Sequence, residues 1–76
     1  MINNRFFTPG LTKREIEVIG LILEELTSEE IADRLFVSTH TVESHRKNIA
    51  SKLAVKNVVG IVKYAFESGI VGLQKA

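Results

Sequence analysis

From Leu11 onward the apolar residues recur every three to four positions, the period of amphipathic helices. Thr12 with Glu15 three residues later forms a capping-box pattern, in which hydroxyl and carboxylate each satisfy a backbone N–H left free at a helix start. Ile16, Ile19, Leu23 and Leu26 follow helical spacing, and Val18, Leu21 and Ile22 widen the stripe, which predicts a first helix covered from more than one side. Gly20 in its middle costs about 1 kcal/mol relative to Ala, tolerable where a neighbouring helix approaches closely. Thr27 and Glu30 repeat the capping pattern, so a second helix starts almost where the first stops. Its apolar face is Ile31, Ala32 and Leu35, with Glu29, Glu30, Asp33 and Arg34 left for solvent. After Phe36 and Val37, Ser38 is a third N-cap, and Val42, Ile49 and Leu53 mark a third helix over about Thr39 to Leu53. Asn57 caps a fourth helix, apolar at Val58, Ile61, Val62, Ala65 and Phe66, with Gly69 as its left-handed stop. No strand alternation, repeat or low-complexity tract interrupts this pattern. The expected class is all-α, one four-helix domain over 11–76, preceded by an arm or linker remnant over 1–10 whose Phe6 and Phe7 are placed to pack back.

Composition narrows the picture without changing it. Seventy-six residues that are 45% hydrophobic, with one proline and no cysteine, suit a single packed domain held by neither disulfides nor thiolate-bound metal. The only long apolar stretch, Val18 to Leu23, is too short to cross a bilayer and the first ten residues lack a signal-peptide pattern, so a cytoplasmic location is expected. The net charge of +1 conceals a division. Residues 11–35 carry three Lys/Arg against seven Asp/Glu, or −4, whereas in 38–57 Arg46, Lys47, Lys52 and Lys56 stand against Glu43 alone, or +3. A local basic excess is the footprint of a nucleic-acid face, but charge alone favours the commoner case of a solvated helix face.

The candidate chemistry lies between Ser28 and Lys52: a short acidic helix and a longer basic one joined by three residues, as in a helix-turn-helix. Ile31 and Leu35 anchor the first of these, Val37 plugs the turn, Val42 and Ile49 anchor the second, and Ala32 is small where the two would cross. With the third helix in a major groove, Thr39, His40, Glu43, Ser44, Lys47, Asn48 and Ser51 face outward. Glu43 can accept from a cytosine amino group, Ser44 can pair with several base edges and Lys47 can donate to guanine. Thr41, Arg46, Lys52 and Ser38 are placed for phosphate oxygens. For Glu43 the other reading is a carboxylate that merely stabilises the first turns of its helix. His40 and His45 stand at i, i+5 on different faces, and no Ser-His-Asp order, Gly-rich phosphate loop or acidic dyad is present. Neither an enzyme, a metal site nor a cofactor is expected.

The residues Leu11-Thr-Lys-Arg-Glu15, Glu30-Ile-Ala-Asp-Arg-Leu35, Ser38-Thr-His-Thr-Val-Glu-Ser-His45 and Lys52-Leu53 together resemble the LuxR-type helix-turn-helix family. That family includes output domains of NarL- and FixJ-like response regulators, quorum-sensing receptors and the free-standing GerE regulator, and the likeness covers about Leu11 to Ile70. It implies a third helix that enters the major groove of paired half-sites in bacterial promoters, and a fourth that supports homodimer contacts, here through Val58, Val59, Val62 and Phe66. Base contacts in the family fall on Glu43, Ser44 and Lys47, and backbone contacts on Thr41, His45 and Lys52, with the capping residues Thr27 and Ser38 near the phosphates. RNA polymerase is a further expected partner, and a membrane is not expected. Three departures carry expectations: Glu25 where Gly is usual implies a different exit from the first helix, Val58 removes a basic phosphate contact, and Gly60 loosens the fourth helix or admits a second protomer.

Two other functions fit parts of this pattern. A sigma-factor-like promoter-recognition domain shares the Leu-Thr-x-x-Glu opening and the Glu-Ile-Ala turn, but usually ends in basic residues where this chain continues apolar from Val58 to Phe66. A protein-interaction module of the same fold would use Phe6, Phe7, Val59 and Phe66, and the +3 segment disfavours it. Seventy-six residues leave no room for a receiver or ligand-binding domain, so a free-standing regulator or the excised output domain of a larger one is expected.

Overall fold

The computed structural model describes residues 10–69, so the expected arm other than Gly10, including Phe6 and Phe7, and the end of the chain from Ile70 lie outside the described residues. Four helices follow in order: α1 (Lys13–Leu23), α2 (Ser28–Leu35), α3 (Thr39–Leu53) and α4 (Val58–Ser68). Among the described residues there is no strand, and no helix is long and apolar enough to cross a membrane.

Each helix starts where a side chain takes up a free backbone donor. Thr12 and Thr27 form complete capping boxes with Glu15 and Glu30, Ser38 Oγ accepts from Thr41 N at 3.0 Å, and Asn57 Oδ1 accepts from Gly60 N at 3.2 Å. The stops of α1, α2 and α3 share one device. Glu25, Phe36 and Ala54 turn left-handed at φ 65, 60 and 57. The next residue then donates to a carbonyl five positions back: Leu26 N to Leu21 O at 3.4 Å, Val37 N to Ala32 O at 3.0 Å and Val55 N to Ala50 O at 3.0 Å. Leu26, Val37 and Val55 thereby fold back against the core. Glu25 thus makes the left-handed turn that a glycine makes most easily, and the different exit expected of it is overturned.

The core is one cluster: Val18, Ile19, Leu21 and Ile22 of α1, Ile31 and Ala32 of α2, Val42, Ile49 and Leu53 of α3, and Ile61 and Ala65 of α4. α1 and α3 each pack against all three other helices, which is why α1 fully buries Val18, Ile19, Leu21 and Ile22, whereas Ile16, Leu23 and Leu26 of the expected stripe are only partly buried against the core. Burying side chains of Ile or Val size contributes on the order of 1.5–3 kcal/mol each, and this burial fixes the roll of α3 about its own axis. At Gly60 a β-carbon would lie 2.6 Å from Val55 Cβ, so the missing side chain admits the turn between α3 and α4, and α4 runs unbroken through this position.

Candidate nucleic-acid interface

Because Val42, Ile49 and Leu53 point inward, the opposite face of α3 is turned outward: Thr39, His40, Glu43, Ser44, Lys47, Asn48 and Ser51 are all exposed. Glu43, Ser44 and Lys47, the expected base readers, thus share a face at i, i+1 and i+4. Thr41, His45 and Arg46 are half-buried along the edges of this face. At the N-terminus the Ser38 and Thr41 hydroxyls stand 2.9 Å apart, and the positive end of the helix dipole adds to their pull on an anion.

Arg46 and Lys47 continue into a cleft of about 350 Å3 between α3 and the start of α4, where Lys56 joins them and Val58 and Ile61 form the apolar floor. Lys56 counted in the basic segment, yet sequence reasoning gave it no role. The signal was its place directly before the Asn57 cap, where the turn carries it back toward α3. Val58 is half-buried against the core, so no cation occupies that position.

Lys52 differs from expectation. Its ammonium donates to Glu15 Oε1 at 2.8 Å, Glu15 Oε2 at 3.1 Å and the Gly10 carbonyl at 3.0 Å. An ammonium has three N–H donors, and these partners match that number. Glu15 is only 4% exposed, so its charge is held by this partner and by the Thr12 N–H. Burial pushes the Glu15 carboxyl up, but the Lys52 hydrogen bond and charge, the Thr12 bond and nearby His45 outweigh it and hold the group below its ordinary value. Lys52 and Glu15 thus tie the last turn of α3 to the first turn of α1. The phosphate role expected of Lys52 would require breaking that pair.

Thr27 is also engaged, because its N–H donates to Glu30 Oε1 at 2.8 Å and its hydroxyl accepts from Glu30 N at 3.1 Å. The hydroxyl hydrogen stays available to a phosphate, although Glu29 and Glu30 in the same turn oppose one. The dimer positions expected on α4 divide: Val58 and Val62 pack against the core, while Val59 and Phe66 are 70% and 67% exposed.

Two helices joined by three residues, the second showing a polar face edged by cations, define a helix-turn-helix domain. Residues 9–65 match the family described as bacterial regulatory proteins, luxR family, and the chain belongs to that family. It is 41% identical over 61 residues to the transcriptional regulatory protein MctR of Rhizobium johnstonii, covering 80% of this chain and 28% of MctR. It is 44% identical over 57 residues to the oxygen regulatory protein NreC of Staphylococcus aureus, covering 75% of this chain and 26% of NreC. The crystal structure of Escherichia coli SdiA superposes with a TM-score of 0.77 at 36% identity, covering 86% of this chain and 28% of that one. The chain therefore spans about a quarter of the length of these relatives.

Proposed function

We propose that the chain is a sequence-specific duplex-DNA-binding domain for bacterial transcription regulation, acting in the cytoplasm as the output part of a larger or GerE-like regulator. The observation that carries this reading is the outward face of α3, where Glu43, Ser44 and Lys47 stand exposed between the capped N-terminus and the cationic cleft. In the major groove Lys47 donates to guanine, Ser44 adapts to the adjoining base and Glu43 accepts from cytosine. Ser38, Thr41, His45, Arg46 and Thr27 hold phosphates, and Lys56 joins them in place of Lys52. Two subunits pair on adjacent half-sites through the exposed Val59 and Phe66 of α4. RNA polymerase is the protein partner of the bound dimer. No step of this function is catalytic.

The test uses duplexes selected from a random pool, with affinity read by fluorescence anisotropy. Lys47→Ala is expected to lose on the order of 1–3 kcal/mol on the selected site and to relax its preference at one base pair. An equal loss on every duplex would show Lys47 to be a phosphate contact, and no duplex binding at low salt would end the DNA reading.

A further inference from the structure

Gly10 stands at φ 76, a left-handed backbone that a residue with a β-carbon enters only under strain. Its chain neighbours aside, no atom lies within 4 Å of where that β-carbon would be, so the direction of the backbone, not space, calls for glycine there. That direction brings the Gly10 carbonyl to Lys52 Nζ, 3.0 Å away and forty-two positions along the chain. Lys52 lies in the last turn of α3, and its other two hydrogen bonds reach Glu15, whose Oε1 also accepts from the N–H of Thr12, the cap of α1. One ammonium therefore joins the entry of the domain, the first turn of α1 and the end of the helix that carries Glu43, Ser44 and Lys47. Leu11, which follows, packs against the core, so the entry is held at two adjacent points.

The joint has no spare donor, since an ammonium has three N–H groups and losing the carbonyl leaves one without a protein partner. Val42, Ile49 and Leu53 hold α3 by apolar packing, which is non-directional and sets how deeply the helix sits. The hydrogen bonds of Lys52 are directional and set where its last turn stops against α1. A helix end that must first be ordered on the duplex loses affinity to that ordering, whereas one already fixed does not.

We infer that Gly10 is a positioning residue for DNA reading: its left-handed turn delivers a carbonyl to Lys52, and the place of the entry thereby sets how firmly α3 is offered to the groove. This rests on the DNA-binding reading above. In this role Lys52 acts through its protein partners and not on a phosphate. The coupling is reciprocal, so a displaced entry weakens duplex binding by the factor with which a bound duplex resists the displacement.

The experiment compares the full chain with Gly10→Val, Gly10→Asn, Lys52→Met and the double variant Gly10→Val/Lys52→Met on the selected duplex, by fluorescence anisotropy over a range of salt. A β-branched residue is an outlier in the left-handed turn, whereas Asn tolerates it. Thermal melts establish that each variant is folded at the temperature of the measurement, and Gly10→Pro, whose ring fixes φ on the negative side, replaces a Gly10→Val that is not. Gly10→Val is expected to lose affinity by about fivefold or more, the low end of coupling between sites, and Gly10→Asn to bind like the wild type. The double variant should be no weaker than Lys52→Met alone, because the carbonyl acts only through that ammonium. The slope of log affinity against log salt should match the wild type throughout, since no phosphate contact is lost. Wild-type affinity in Gly10→Val, or losses that add in the double variant, overturns the inference. So does an equal loss in Gly10→Asn, which would trace the effect to any side chain at position 10. A shallower slope in Lys52→Met would put that ammonium on a phosphate and overturns it as well. A wild type that binds no duplex refutes the DNA reading and the inference with it, whereas a duplex-binding wild type beside an inert Gly10→Val refutes the inference alone.

Discussion

At the scale of single residues, Glu25 and Ala54 hold left-handed turns that cost an L-residue about 1–2 kcal/mol, part of which glycine returns through its freer unfolded chain. Glu25→Gly and Ala54→Gly are each expected to stabilise the domain by about 0.5–1 kcal/mol, seen in thermal melts as a rise of a few degrees. These turns were illegible in the sequence because the usual helix stop is a glycine, and only Gly69 ends a helix here in that way. Glu15 was legible as a cap, but not as the partner of Lys52, thirty-seven positions away. Periodicity reports which side of a helix is buried, not which charge another helix brings to it. The pair also sets a pH dependence. A folded-state carboxyl held below its ordinary value of 4.5 adds stability that is present above that value and lost as pH falls through the lower folded value. Acid melts should therefore show wild type losing stability below about pH 4.5 more steeply than Glu15→Gln, and parallel curves would remove the ion pair from the account.

At the scale of elements, the four helices and their N-caps were readable because each begins with Thr, Ser or Asn directly before an apolar period. The turns that join them were less so. Gly60 read as a weakness of α4 or an opening for a partner, since the close approach of Val55 depends on the left-handed Ala54 that precedes it. Gly60→Ala gains about 1 kcal/mol of helix propensity. It also forces a contact at 2.6 Å with a β-branched side chain, and overpacking of that kind costs about 1–3 kcal/mol. The Tm is expected to fall, and a rise would show that the turn yields at little cost.

For the whole molecule, the segregation of charge was visible from composition, whereas the number of cations free for phosphates was not. Four basic residues mark the segment 38–57, and with Lys52 bound to Glu15 and Lys47 given to a base, two remain for phosphates: Arg46 and Lys56. At about 0.9 per neutralised phosphate, log affinity against log salt should fall with a slope of about −1.8 on one half-site and about twice that on a pair. Phe66→Asp, which places a charge on the exposed strip of α4, should preserve the first slope and abolish the second. A single-site slope near −2.7 that returns to about −1.8 in Lys52→Ala would mean that Lys52 leaves Glu15 to reach the backbone.

The three left-handed stops bear on how this sequence can change. Glutamate and alanine codons each lie one base from a glycine codon, and phenylalanine codons lie two bases away. Under selection for heat resistance, glycine should appear early at positions 25 and 54. Position 36 should resist longest, because of the genetic code.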